Sequence, residues 1–502
     1  MKKIVIIGGG IAGLSAGIFA QKNGFESTIL EKHHTSGGEC TGWDRRGYHI
    51  DGCIHWLVGT KEGTPIRELW DTVGALDGVE IYEPESFMAV EHEGITVHFY
   101  RDLDRLKTSW LGISPNDKEA IEEFCGDICK LHPFTFPVGK PLDMMSLIEK
   151  VKYMFSMKDV GPVMQKYNKL RVQDLAGKFK HPALKAALAS FMPEGDYSAV
   201  SIIFPLGTFT GGQSSIPFGG SRALAGRMEE KYLAQGGNIE TSCEVVKLEI
   251  EGNSVQRAIC SNGKSLDADY FIAACDANVL YEKLLKGHYP DPEFNKRFSD
   301  PNTYPLASNI YMGIGYEGSM EDIPRTLKFP VGSIDIEQNR KPTEYLQMTH
   351  YGYEPDFAPE GHTAITFAIN QFQPELGKWE ELVQEREAYN REKSRIGEEV
   401  VRAMEIRFPE MTGKLKLLDV ASPQTYKRYC NAYRGAFMAF WPTLKGKQLA
   451  HNGQIRGLDN LVLSGQWLQP PGGLPVALIT GKDSIMRLCR KVKKEFVIGS
   501  QY

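Results

Sequence analysis

The chain has 502 residues, 42% hydrophobic and 24% charged, with a formal net charge of -5. Such a length accommodates about two to four domains. The near-neutral balance, free of charge blocks and low-complexity tracts, gives no reason to invoke nucleic acid and describes an ordinary globular, enzyme-sized protein. Nine cysteines are scattered without a C-x-x-C pair, so neither a disulfide framework nor a metal site is expected, and a reducing cytoplasm fits best. Lys2-Lys3 and the apolar residues after them imitate a signal peptide, but cleavage there would remove the glycine loop described next. No run reaches the about 18 uninterrupted apolar residues of a spanning helix, so the membrane role expected, if any, is peripheral attachment to an inner face.

Lys3 to Ile7, a β-branched run ending in glycine, reads as a buried parallel strand. Ile11, Leu14, Ile18 and Phe19 then recur at helical spacing, and Gly24 is placed to close the helix in a left-handed conformation. Ser27 to Leu30 is a second strand, ending in Glu31. Gly8-x-Gly10-x-x-Gly13 therefore occupies a strand-to-helix turn with an acid about 20 residues beyond, the arrangement of a dinucleotide site. Gly8 permits the tight turn, Gly10 admits a pyrophosphate and Gly13 allows close packing, while N–H groups around Ile11 and Ala12 stabilise negative charge. Glu31, followed by Lys32, is the expected acceptor for an adenosine ribose.

Further along stand Gly37-Gly38-Glu39-Cys40, then Tyr48-His49-Ile50-Asp51-Gly52 and Cys53-Ile54-His55-Trp56. Residues 78–100 read as strands and 114–190 as mainly helical, with Ser114 capping a helix that has Pro115 in its first turn. Within 143–158, Met144, Met145, Ile148, Val151, Met154 and Phe155 share one side and Glu149, Lys150 and Lys152 the other. The ordinary reading is a helix packed on its own core; the alternative is a greasy lid or a membrane-surface helix. Residues 307–315 and 342–372 read as strands, and 375–406 as one long polar helix ended near Pro409. A second glycine match, Gly313-x-Gly315-x-x-Gly318, opens no convincing helix and has no acid after a second strand, so it is read as no nucleotide site. Tyr433 to Trp441 is an aromatic run. Near the end, the turn Pro470 to Pro475 precedes an apolar-periodic helix whose start, Gly473-Leu474-Pro475-Val476, offers free N–H groups.

The glycine loop alone does not separate NAD from FAD. Gly37-Gly38 after the ribose acid, the aromatic-x-x-Asp-x-Gly element at Tyr48 to Gly52, Pro217 to Leu224, Ala273 to Ala277, Leu458 to Gln466 and Pro470 to Pro475 together resemble the phytoene desaturases, carotenoid isomerases and retinol saturases, relatives of the flavin amine oxidases. The resemblance implies FAD as cofactor, an adenine contact at Val245, and ribityl or diphosphate contacts at Gly465 and Gln466, although many relatives carry an acid at 466. It implies an α/β protein. A discontinuous Rossmann-like FAD-binding domain (1–75, 215–280 and 445–502) is joined to an α+β substrate domain (76–214 and 281–444) with a helical lid region about 114–190. Many relatives have arginine after the glycine pair, where this chain has Glu39. A charged acid beside the diphosphate would cost about 1–4 kcal/mol, so either Arg45 or Arg46 supplies the missing charge or Glu39 turns away.

On that resemblance the expected function is an FAD-dependent oxidoreductase acting on carbon–carbon bonds of a hydrophobic polyene or isoprenoid-like substrate, by desaturation, saturation or isomerisation. His55 is the candidate proton donor or acceptor, and Trp56, Tyr433, Phe437 and Trp441 are candidate pocket walls. The Ile54-His55-Trp56 element, which resembles a stretch of the retinol saturases, and Gly465-Gln466 tilt the expectation toward saturase-like chemistry. The redox partner is open. The alternatives are an amine-oxidase-like enzyme acting on a C–N bond and a non-catalytic prenyl-binding protein of the dissociation-inhibitor type.

Overall fold

The computed structural model describes residues 1–193, 195–339, 341–373 and 375–499. Its nucleus is a five-stranded parallel sheet in the order Asn238–Glu240, Glu26–Leu30, Lys3–Ile7, Tyr270–Ala273 and Leu461–Leu463. The first strand lies in the middle because Ile4, Val5, Ile6 and Ile7 are apolar on both faces, which suits only a strand covered on both sides. Helix Ile11–Lys22 crosses this sheet beside helices Gly220–Ala234 and Leu474–Lys491. The crossings are close. A Cβ at Gly17 would lie 2.7 Å from the Tyr232 ring, and one at Gly481 would lie 2.4 Å from the Ala12 carbonyl oxygen. Gly24, at φ +67°, closes the first helix.

A three-stranded antiparallel sheet of Val245–Glu251, Ser254–Cys260 and Ser265–Asp267 flanks this nucleus. A seven-stranded sheet forms the other body, in the order Leu415–Ala421, Ala307–Tyr316, Thr363–Phe372, Thr343–His350, Thr326–Ile334, Ser86–His92 and Ile95–Tyr100. The second glycine match sits in and just after its strand Ala307–Tyr316. A Cβ at Gly313 would meet Ile50 at 2.3 Å and one at Gly315 would meet Tyr48 at 2.5 Å, so these glycines admit the strand Tyr48–Asp51. Helices between 103 and 210 make a separate layer around Trp110, Phe124 and Phe179.

Several local expectations are corrected. Ser114 makes no side-chain cap; Pro115–Asp117 is a 3₁₀ turn, and the α-helix begins at Lys118. Asp117 instead accepts the backbone N–H groups of Lys180 and His181, tying this turn to a distant one. The stretch 375–406 is two helices, Glu375–Leu382 and Arg386–Arg407. Of the segment 143–158, only Leu147–Ser156 is helical, so Met144 and Met145 precede it. That helix has no buried residue. Leu147, Ile148, Val151, Met154 and Phe155 are 65–82% exposed, which overturns packing on the protein's own core. Among the described residues no helix is long and apolar enough to cross a membrane.

Candidate functional site

A continuous cavity of about 1390 Å³ runs from Glu31 and Val245, past the two glycine elements, to a chamber walled by Phe134, Phe136 and Phe204. Its first part is built by the strand-to-helix turn. Gly8 (φ +105°) has Ala274 O where a Cβ would stand, and Gly13 packs on the Gly8 carbonyl from behind the wall. Gly10, Ile11 and Ala12 line the cavity. Helix Ile11–Lys22 has no side-chain cap and no acid in its first turn, so its N–H groups remain for an anion. Glu31 is buried; its Oε2 accepts the Gly9 N–H at 2.6 Å and its Oε1 the His33 N–H at 2.7 Å. Burial pushes its pKa up, and those two N–H groups oppose the shift. Lys32 lines the same end and donates to Arg428 O and Asn431 Oδ1.

The glycine pair runs alongside this turn: Gly37 N donates to Gly9 O at 2.9 Å, and Gly37 and Gly38 have φ of +117° and +61°. Glu39 does not turn away. It lines the cavity half-buried, and Gln466 Nε2 donates to its Oε2 at 3.3 Å. Burial, and then the neighbouring Asp276, raise its pKa to about 8. Asp276 is itself raised to about 6 by burial, against the N–H groups of Tyr433 and Asn278 that it accepts. Near pH 7 Glu39 is therefore largely a neutral acid, which removes the like-charge problem without help from arginine. Arg45 is committed to Asp419 at 3.0 Å, and Arg46 lies outside the cavity wall. Since the folded pKa lies above the ordinary 4.5, the folded form retains this proton. The stability so contributed is complete below about pH 4.5 and disappears as pH rises through about 8. Melting curves of cofactor-free protein are thus expected to fall by a few degrees from pH 5 to 8, and Glu39→Gln should flatten that fall; an equally steep fall in the variant would refute the protonated state.

Gln466 joins three elements, because its Nε2 also donates to Phe437 O and its Oε1 accepts the Gly473 N–H. Gly465, at φ +123°, donates to Thr480 Oγ1. Helix Leu474–Lys491 lacks a side-chain cap, and Gly473, Leu474, Pro475 and Val476 at its start all line the cavity. Two uncapped helix starts and a neutral acid around one channel fit a dinucleotide carrying a diphosphate.

His55 and Trp56 line the cavity beyond. Burial, and then Arg325, pull the His55 pKa down to about 4, and its Nδ1 has no partner among the described residues. It is a neutral imidazole at pH 7, poorly matched to general acid work. The Trp56 ring meets Phe87 at 4.8 Å. Phe437 and Trp441 form wall, but Tyr433 does not. The 3₁₀ turn Tyr433–Gly435, with Arg434 at φ +54°, directs the Tyr433 ring onto Phe298 at 5.0 Å. Cys40 is buried with its Sγ toward Ser221 O and its pKa pushed up, first by Cys53 and then by burial, so it is not a reactive thiolate.

The sequence reading missed the anchor of this wall. Asp51 is 1% exposed and accepts Ser221 N and Oγ, each at 2.6 Å, and Cys53 N and Ile54 N, each at 3.2 Å. It also missed Arg325, Gln347 and Asn370, which line the chamber from the large sheet. Gln347 and Asn370 were signalled only by polarity inside a strand-like run, and Arg325 not at all, because the strand Thr326–Ile334 that it precedes lies outside the runs read as strands.

A Rossmann-like NAD(P)-binding domain family matches residues 6–73. The 4,4'-diaponeurosporene oxygenase of Staphylococcus haemolyticus is 22% identical over 96% of this chain and 96% of its own. Prolycopene isomerase 1 of an Oncidium hybrid cultivar is 23% identical over 86% of this chain and 74% of its own. A neurosporene-forming phytoene desaturase of Rhodobacter capsulatus is 23% identical over 96% and 93%. Among solved structures, an oxidoreductase from Methanosarcina mazei superimposes with a TM-score of 0.60 at 16% identity, covering 97% of this chain and all of that one. Putrescine oxidase with putrescine bound gives 0.59 at 12% identity, covering 97% and 99%; both likenesses concern the fold. Over most of its length the chain is thus similar to carotenoid desaturases and a prolycopene isomerase, and its architecture is α/β with a Rossmann-like nucleotide-binding segment.

Proposed function

We propose that the protein is an FAD-dependent oxidoreductase acting on a carbon–carbon bond of a long polyene or isoprenoid-like substrate. The observation that carries this reading is the continuity of one cavity, which joins the dinucleotide cradle to a chamber roofed by Phe134, Phe136 and Phe204. A bound flavin supplies hydride acceptance or donation. The chain's own residues do the rest. Uncapped helix starts hold the diphosphate and the pyrimidine end, Glu31 holds the ribose, and Val245 borders the adenine. Trp56, Phe437 and Trp441 orient an apolar chain and exclude water. His55, neutral and half-buried, serves as a wall and hydrogen-bonding group in this reading.

Anaerobic titration of the purified flavoprotein with apolar alkenes, followed by product mass, tests the proposal. Loss of two hydrogens, gain of two, or an unchanged mass identifies desaturation, saturation or isomerisation. Flavin bleaching by amines alone would favour C–N oxidation, and protein that refuses added FAD would leave only a binding role.

The bare helix Leu147–Ser156 supports a seat on an anionic membrane. Its apolar side chains are solvent-facing, Lys150, Lys152 and Lys158 are exposed beside them, and it follows the loop carrying Phe134 and Phe136. Wild-type protein is expected to float with phosphatidylglycerol vesicles, and Ile148→Asp/Phe155→Asp protein to stay behind. Equal behaviour of the two would remove this part of the reading.

A further inference from the structure

The cavity is not apolar throughout. Besides the phenylalanines, the seven-stranded sheet contributes a row of polar side chains to its wall. Asn309 pairs across strands with Asn370, Gln347 with Ala368, and Thr326 with Thr349. Alternation along a strand puts Gln347 with Thr349 and Ala368 with Asn370 on one face, and that face lines the cavity. Asn309 Oδ1 is satisfied by the Tyr426 hydroxyl at 2.7 Å. The side-chain amides of Gln347 and Asn370 have no hydrogen bond among the described residues, and Asn370 is exposed to the hollow.

Arg325, just before the strand Thr326–Ile334, stands at the end of this row. It is 8% exposed and lines the chamber. Its Nη1 reaches Thr326 Oγ1 at 3.4 Å and its Nη2 reaches His55 O at 3.3 Å, both long contacts to neutral oxygens. Its Nε has no hydrogen-bond partner among the described residues, and its guanidinium lies 5.6 Å from the centre of the Tyr353 ring. No described carboxylate makes an ion pair with it; Asp51, in the same region, is already engaged by Ser221, Cys53 and Ile54. A buried guanidinium without an anion is costly, whereas a bidentate oxyanion satisfies its fork geometry. A pure hydrocarbon would displace water from Arg325, Gln347 and Asn370 and return no hydrogen bond.

We propose that the substrate is an amphiphile, a long unsaturated chain ending in a carboxylate, with the carboxylate held by Arg325 and the chain lying under the phenylalanine roof. The inference rests on the chamber being the substrate site of the proposed oxidoreductase, and it narrows the substrate class from hydrocarbon to polyene acid. Gln347 and Asn370 donate to the oxygens at the polar end, and Trp56 and Phe437 flank the chain.

Binding of parinaric acid, a fluorescent conjugated fatty acid, is compared with that of its methyl ester on the purified flavoprotein. The acid is expected to bind at least about tenfold more tightly than the ester, the scale of one charge-assisted hydrogen bond. Arg325→Gln should bring the two affinities together, while Arg325→Lys should retain part of the preference. Equal binding of acid and ester by wild-type protein, or an undiminished preference in Arg325→Gln, overturns the proposal. So does an Arg325→Gln protein whose flavin spectrum shifts while its preference for the acid survives, because the guanidinium would then serve the cofactor. The wild-type comparison decides even if the variant does not fold. Tight binding of both probes would defeat the headgroup assignment and leave the oxidoreductase reading standing, whereas binding of neither, with a flavin unresponsive to every alkene, would defeat both.

Discussion

Gly13→Ala protein is expected to purify with little or no flavin and to take up added FAD at least about 100-fold more weakly than wild type, an effect of roughly 2.7 kcal/mol. The added Cβ would lie 1.9 Å from the Gly8 carbonyl oxygen and 3.1 Å from its carbon. Neither atom can retreat easily, because Gly8 N is held by Leu30 O at 2.9 Å and its own α-carbon abuts Ala274 O. The helix Ile11–Lys22 must therefore move outward. On its other sides it is locked by Tyr232 against Gly17 and by Gly481 against Ala12, so the strain spreads through the packed nucleus, where an added methyl typically costs about 1–3 kcal/mol. The same movement would carry the helix N–H groups away from the place proposed for the diphosphate. The ratio of flavin to protein absorbance and a thermal melt check this, and a fully loaded variant with an unchanged melt would contradict it.

Asp51→Ala is expected to be nearly as damaging by a different route. The buried carboxylate joins the end of strand Tyr48–Asp51 to the start of helix Gly220–Ala234 through Ser221, and it receives the N–H groups of Cys53 and Ile54. Removing it leaves buried donors unsatisfied and frees the wall that carries His55, for a loss of about 3–5 kcal/mol. Asp51→Asn should recover only part, because an amide NH₂ group would face donors. Thermal melts of the three proteins, with the quenching of bound flavin as a second reading, measure the effect. An Asp51→Ala melt indistinguishable from wild type would refute this anchoring role.

What could be read from residues alone was local. The strand Lys3–Ile7, the glycine turn, the helix closed by Gly24 and the strand leading to Glu31 lie within about 30 residues, and each is selected by spacing and backbone sterics. The strands Asn238–Glu240 and Leu461–Leu463 carried too little pattern to be placed beside them, because three-residue strands show no period. Family resemblance pointed to those regions; parallel pairing placed them in one sheet.

The errors have the same origin. Tyr433 and Phe437 stand in one aromatic run, yet a left-handed Arg434 sends the first ring to Phe298 and leaves the second in the cavity. The apolar stripe of Leu147–Ser156 was legible as a stripe; that nothing covers it depends on where the rest of the chain packs.

By itself the sequence determined the strand, glycine turn and helix that begin the chain, the acid at 31 and the aromatic run that holds Phe437 and Trp441, since these depend on neighbours in the chain. Only the tertiary structure decided that the Glu39 pKa is raised, because it is set by burial and by Asp276, a residue remote in sequence. It alone decided that Arg325, Gln347 and Asn370 face the hollow, because the facing of a strand follows from the register of its partners, which no stretch of sequence contains.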